Sequence, residues 1–315
     1  MLIRYLGRRV LHALLVMWAA FTVSFFILYI VPGDPVAAML GPEAVASSTP
    51  EQLAALRSEY GTDKPVLAQY GLQLLHLVQG NLGRSFNSGQ SISQMLADAF
   101  PSTLTLASSA LVLALIGGVG LAVAANLTRS LWLRGLLLSL PPVAVSMPTF
   151  WVGLMLLQFV SFRMGLLPAV GGSGLEALVL PAVTLAIPIG AVIAQVLSAS
   201  LQSTLAEPYV EVLRAKGAGR LRIHFGHALR NAAIPALTVT GVLVGGLFGG
   251  SVLVETVFAR NGLGLTAATA VSNKDIPVVQ GVVLVTALMF VLSSLVVDLL
   301  YPLIDPRIRL MRAAS

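Results

Sequence analysis

Six apolar runs, each about 20 residues or longer, recur along this chain at 10–31, 104–125, 135–159, 179–201, 234–258 and 278–303. At about 1.5 Å per residue, a helix of that length crosses the roughly 30 Å hydrocarbon core of a bilayer. A spanning segment must satisfy its own backbone, so the runs predict an all-α membrane protein with six transmembrane helices. Composition agrees: 57% of residues are hydrophobic and 10% charged, against about 25% charged in a soluble domain. Cysteine is absent, which excludes a disulfide framework, a thiolate metal site and a cysteine nucleophile. His12, His76, His224 and His227 are dispersed apart from the last pair, which argues against a histidine-based catalytic metal site.

The first run follows Arg4, Arg8 and Arg9. It exceeds the 7 to 15 residues of a usual signal-peptide core, roughly stated, and has no small-residue cleavage pattern, so it is expected to remain as an anchor. A net charge of +6 would suit nucleic acid if it were gathered on one soluble face. Here the basic residues lie between spans and report topology instead. With the N-terminus in the cytoplasm, the inner segments hold Arg4, Arg8, Arg9, Arg129, Arg134, Arg214, Lys216, Arg220, Arg222, Arg230, Arg307, Arg309 and Arg312. Only Arg57, Lys64, Arg84, Arg163, Arg260 and Lys274 fall outside. The positive-inside rule therefore predicts a multi-pass cell (inner) membrane protein with both termini cytoplasmic.

That orientation divides the chain into an N-terminus with the first span (1–31), an extracytoplasmic insertion (32–103), a five-helix core (104–303) and a cytoplasmic tail (304–315). In the insertion, Asp34, Glu43, Glu51, Glu59, Asp63 and Asp98 outnumber the bases. Thr49-Pro50-Glu51 opens a helix expected to run to Glu59 and stop at Gly61, and residues 66–78 read as another. The spans themselves are rich in Pro and Gly, including Pro141, Pro142, Pro148, Pro181, Pro188, Gly245, Gly246, Gly249 and Gly250. Such residues either kink helices or let them approach closely.

Between spans four and five the apolar pattern gives way to a charged stretch, 207–230, within a loop of 203–233. Pro208 suits a helix start and Gly217 a left-handed stop. Val210, Leu213 and Ala215 are expected to form a small apolar face on the first helix. Leu221, Phe225 and Leu229 recur at i, i+4, i+8 on the second, the spacing of an amphipathic helix. Two short helices meeting at Gly217-Ala218-Gly219 form a hairpin that a second protein could grip. A basic hairpin lying on anionic lipid is the alternative.

These residues resemble the EAA loop of binding-protein-dependent ABC importers, in which Glu-Ala-Ala, three residues and Gly form a coupling helix. Glu211 and Gly217 stand at the matching spacing, while Val212 and Leu213 replace the two alanines. The resemblance extends to Arg4-Tyr5-Leu6-Gly7-Arg8-Arg9, Val31-Pro32-Gly33-Asp34-Pro35, Gly80-Asn81-Leu82-Gly83-Arg84-Ser85, Ser146-Met147-Pro148-Thr149-Phe150-Trp151 and Asp305-Pro306-Arg307. Together they are similar to the B-type transmembrane subunit of the dipeptide, oligopeptide and nickel branch. The resemblance implies a permease paired with a second, homologous permease subunit, two ATP-binding subunits, an extracytoplasmic substrate-binding protein and the surrounding membrane lipid. It also implies that Glu211, Val212, Leu213, Arg214, Ala215, Lys216 and Gly217 couple to the ATPase. Asn261, Gly262, Leu263 and Gly264 would belong to a loop that contacts the binding protein or helps release its ligand. Di- or oligopeptides are the implied substrates, with nickel chelates, haem or other small solutes as alternatives.

No phosphate-binding GxxxxGK[ST] loop occurs, and Lys64, Lys216 and Lys274 lack the required neighbours. The chain is therefore not expected to be an enzyme or to hold a cofactor, with ATP and Mg belonging to partner subunits. Glu255 and Asp298, near the ends of spans five and six, could mark an ion path or serve as structural pairs. Gln158 and Gln195 could line a polar path or bond to neighbouring helices. A stand-alone secondary transporter or channel is the competing class. It would need its own ion site and leaves the hairpin without a purpose.

Overall fold

The computed structural model describes residues 2–29, 35–59, 63–169 and 174–304. They form α1 (Leu2–Tyr29), α2 (Pro35–Ser47), α3 (Pro50–Glu59), α4 (Val66–Val78), α5 (Ile92–Leu127), α6 (Leu131–Ser146) and α7 (Thr149–Leu156). These are followed by α8 (Glu176–Leu205), α9 (Pro208–Ala215), α10 (Arg220–Ile223), α11 (Leu229–Val257), α12 (Leu263–Ser272) and α13 (Ile276–Ile304). A π-helical turn, Leu157–Arg163, extends α7, and another, His224–Ala228, joins α10 to α11. Among the described residues the extended pairing is confined to one isolated bridge, Arg84 to Ser91. Gly61, the motif at Val31 to Asp34 and the one at Asp305 to Arg307 lie outside the described residues.

Among the described residues five helices are long and apolar enough to cross a membrane singly, and a bent pair supplies a sixth crossing if counted as one span. The bent pair corrects the expectation of one continuous helix over 135–159. Pro148 has no N–H to donate, and its ring drives Met147 out of helical space to φ −85°, ψ 129°. The axis consequently turns by 106° between α6 and α7. The second span also differs from its apolar run, because α5 begins at Ile92 and carries Pro101 within it.

The chain divides into two compact units, 1–103 with 261–291, and 104–260 with 292–315. In the first, Phe21, Phe25 and Phe26 of α1 surround Tyr70 of α4, with ring centroids 5.4, 5.3 and 5.8 Å from it. The Tyr70 and Thr22 hydroxyls lie 3.0 Å apart. The earlier turns of α1 expose Val10, Leu11, Leu14, Leu15 and Trp18, and the side away from Tyr70 exposes Val23 and Ile27, apolar surface of the kind a helix offers to lipid. α3 starts with a capping box: Thr49 N–H donates to Gln52 Oε1 at 2.9 Å, and Gln52 N–H to Thr49 Oγ1 at 3.3 Å.

α8 is the centre of the second unit, packed by α6, α7 and α11. Pro188 costs it a backbone hydrogen bond, while Thr184 Oγ1 donates to the Leu180 carbonyl at 2.8 Å. Small residues set the spacing to α5. A Cβ on Gly118 would lie 2.6 Å from the Gly190 carbonyl oxygen, and one on Gly190 would lie 3.1 Å from that of Ala114. Ala122, Leu197, Leu201, Ala228, Ala232 and Ala236 form a buried cluster where α5, α8 and the start of α11 meet.

Candidate functional site

The charged stretch folds as the hairpin its turn residues predict. Pro208 occupies the first turn of α9 after an extended Glu207, which costs nothing because the first N–H groups of a helix have no internal partner. At the other end Gly217 adopts φ +80°. Its N–H donates to the Arg214 carbonyl at 2.9 Å, and Ala218 N–H to that of Leu213 at 3.0 Å, the paired bonds of a Schellman stop. Nothing lies within 4 Å of a Cβ built on Gly217. The residue is therefore required by backbone conformation and not by space.

α9 has a clear inner and outer side. Val210 is fully buried and Leu213 half-buried, whereas Glu211, Val212, Arg214, Ala215, Lys216 and Gly217 are exposed. The shared apolar face expected of Val210, Leu213 and Ala215 is thus corrected. At about 100° per residue, Leu213 lies about 60° from Val210 around the helix but Ala215 about 140°. On the second arm Leu221 and Phe225 are exposed, while Leu229 packs against the buried alanine-leucine cluster. The π-helical turn between them takes up an extra residue and rotates Leu229 out of the i, i+4, i+8 register.

Arg220, which sequence reasoning used only for topology, and His224, weighed there only among the dispersed histidines, hold the hairpin in place. Arg220 Nη2 donates to the carbonyl of Asn126 at 3.0 Å and to that of Thr128 at 3.4 Å. The buried His224 ring sets Nδ1 2.9 Å from the Arg220 carbonyl and Nε2 3.3 Å from that of Asn126. A neutral imidazole donates to one carbonyl at a time. Asn126 is itself fixed by Nδ2 donating to Ala122 at 2.8 Å. The only sequence signal for this arrangement was a basic residue and a histidine four apart on one helical face.

The other predicted loop is largely enclosed. Gly262, Leu263 and Gly264 are buried and Asn261 is exposed, with Leu263 N–H donating to Thr103 Oγ1 at 2.8 Å. Beyond α12, Asp275 is buried and gathers the turn after Gly83. Ser85 Oγ donates to it at 2.5 Å, Phe86 N–H at 3.2 Å, and Asn87 through N–H and Nδ2 at 3.4 Å each. Glu255 is fully buried, and the side chain of Asp298 lies outside the described residues. Gln158 and Gln195 are both exposed. Among the described residues no three His, Asp or Glu side chains are grouped closely enough to hold a metal ion.

Two family models match, and between them they cover nearly the whole chain. Residues 114–310 match the binding-protein-dependent transport system inner membrane component, and residues 1–107 the N-terminal part of such membrane components. The glutathione transport system permease protein GsiC of Salmonella paratyphi A is 34% identical over 308 residues, 98% of this chain and 99% of the relative. The protein of the same name from Escherichia coli K12 gives the same identity and coverage. A crystal structure described as an amino acid ABC transporter with histidines aligns with a TM-score of 0.54 at 16% identity, covering 66% of this chain and 94% of that one. At that identity the structural likeness speaks for the fold.

Proposed function

Because this chain belongs to the family of inner membrane components of binding-protein-dependent transport systems, we propose that α9 is the element through which ATPase motion reaches its membrane helices. The chain is a permease subunit of an ABC importer, and ATP is hydrolysed by separate subunits. The observation that carries the proposal is the placement of α9. It lies between α8 and α10, which a π-helical turn joins to α11, is seated by Val210, and turns Glu211, Val212, Arg214, Ala215 and Lys216 outward. A rigid helix so placed converts displacement by a docked partner into movement of two spanning helices. Docking alone shifts nothing unless the partner prefers one arrangement, so the two states must differ in how α9 meets the motor.

In the full assembly a second, homologous permease subunit stands beside this one, two ATP-binding subunits with ATP and Mg sit below, and an external binding protein delivers solute. Both termini and the hairpin face the cytoplasm, and residues 32–103 form the outer insertion on which the binding protein rests. Within the 261–264 loop Asn261 is the contact, since its three neighbours are buried. Short peptides are the substrate class. The GsiC relatives are named for glutathione, a peptide, and this supports the assignment over nickel chelates or haem.

Replacing Gly217 with Pro tests the coupling role. Pro cannot adopt φ +80° and has no N–H for Arg214. Inserted complexes carrying Gly217→Pro should hydrolyse ATP without driving uptake. Transport at the unmodified rate would refute the role.

A further inference from the structure

We propose that the second arm of the hairpin, α10 with its π-helical turn, is a further contact for the ATP-binding subunit, made by Leu221 and Phe225 entering an apolar pocket with an acidic rim. Leu221 is 63% exposed and Phe225 53% exposed, yet the arm has no room to turn them inward. Its inner side is already filled by Ile223, His224 and Ala228, all buried, and Arg220 and His224 tie it to the end of α5. Two large apolar side chains about one turn apart are thus held outward on a fixed helix, the form in which an anchor is offered to a groove.

Helix length sets lipid aside as the occupant. Arg220–Val257 is one helical run of 38 residues, about 55 Å long against a hydrocarbon core of roughly 30 Å. Residues 231–254 carry no Asp, Glu, Lys or Arg, and at about 36 Å this stretch already spans that core. Arg230 therefore marks the water side. Phe225 lies about 7 Å and Leu221 about 13 Å beyond it along the axis, past a headgroup layer about 5 to 7 Å thick. Apolar side chains at that distance face water unless a protein covers them.

Charge and continuity point to the ATP-binding subunit. From 212 to 254 the chain has no Asp or Glu, while Arg214, Lys216, Arg222, His227 and Arg230 stand exposed, so the complementary surface carries carboxylates. The two arms meet at Gly217-Ala218-Gly219, which puts Leu221 four residues from the stop of α9. At the base of the hairpin Asn231 Nδ2 donates to the Tyr209 hydroxyl at 3.5 Å. A partner seated on α9 is therefore beside the second arm as well. The inference rests on the reading of α9 as the motor contact, and adds a second anchor that fixes the angle at which the motor holds the hairpin.

The test uses membranes holding the assembled importer, with either Phe225 or Val212 replaced by the photoreactive p-benzoylphenylalanine. Irradiation should join both positions to the ATP-binding subunit. Joining from 212, with 225 reaching only lipid, the second permease or nothing, overturns the second arm and leaves the α9 reading standing. Joining from 225 alone supports the arm and overturns the α9 reading. Joining from neither overturns both. In parallel, and at equal amounts of inserted chain, Phe225→Ser should retain about tenfold less ATP-binding subunit through affinity purification, the loss of one aromatic anchor, and Phe225→Leu should restore most of it. Equal retention by Phe225→Ser and the unmodified chain overturns Phe225 as an anchor, whatever it is joined to. Should Phe225→Ser fail to insert, the irradiation result decides.

Discussion

The guanidinium of Arg220 lies 3.0 Å from the carbonyl oxygen of Asn126, the penultimate residue of α5. The last carbonyls of a helix have no internal partner and carry the negative end of its dipole, so a cation is favoured there. The hairpin is therefore tied to α5 as well as to the two helices that continue from it in sequence. A displacement of α9 against its partner has three helical routes into the second unit.

Arg220→Ala should loosen that tie by about 1 kcal/mol, the low end for a hydrogen bond with a charged donor because Arg220 is exposed. The uptake obtained per ATP hydrolysed should fall while ATP hydrolysis persists. Arg220→Lys should rescue only in part, because an ammonium cannot span the Asn126 and Thr128 carbonyls as a planar fork does. Parallel measurement of uptake and ATPase rates in proteoliposomes checks this. Equal coupling ratios in all three chains would remove Arg220 from the pathway.

Asp275 should be a stability determinant of the first unit. Asp275→Asn replaces one acceptor oxygen by a donor facing Ser85 Oγ and the Phe86 and Asn87 amides. Losing charge-assisted bonds at a buried site should cost about 3 kcal/mol. The thermal midpoint in detergent should drop accordingly, and Ser85→Ala should lower it by less. An unchanged midpoint for Asp275→Asn would show that the carboxylate is dispensable.

Much of this fold is readable from the residues because the physics involved is local. Span length fixes α8, α11 and α13 to within a few residues. Thr49-Pro50 and Pro208 mark helix starts, and Gly217 marks a stop, through backbone rules that need no neighbours. The break at Met147-Pro148 was harder to place, since Pro141, Pro142, Pro181 and Pro188 are accommodated within continuous helices. Which proline interrupts a span depends on what surrounds the freed carbonyls. The ties made by Asp275 and Arg220 join residues 190 and 94 positions apart, and no spacing rule reaches that far. Helix α5 began earlier than its apolar run because residues 92–103 are helical without being apolar enough to span.

Lys274 and Ala259 each occupy the left-handed position that ends a helix, at φ 55° and 46°. Asp275 N–H bonds the Ala270 carbonyl at 2.8 Å and Arg260 N–H that of Glu255 at 2.8 Å, as in the stop at Gly217. A residue with a Cβ pays about 1 kcal/mol for this conformation relative to Gly. Lys274→Gly and Ala259→Gly should therefore each stabilise the fold by up to about that amount, offset in part by greater freedom of the unfolded chain. Chemical denaturation of each variant against the unmodified chain is the check. A loss of stability in both would mean that the side chains contribute contacts exceeding the backbone strain.

The crossing of α5 and α8 provides the sharpest steric prediction. A Cβ on Gly118 would lie 2.6 Å from the Gly190 carbonyl oxygen and 3.0 Å from the Ile193 Cβ. The first obstacle is backbone, so no rotamer change relieves it, and the helices must separate. Gly118→Ala should cost about 1 to 3 kcal/mol, as overpacking of a close core contact does. Gly117, one position earlier, has no such neighbour within 4 Å, and Gly117→Ala should be neutral or mildly stabilising, because Ala is the better helix former by about 1 kcal/mol. Comparing the two single variants by thermal unfolding separates the contact from any general effect of removing glycine. Equal midpoints would mean that α5 and α8 do not meet this closely in the assembled importer.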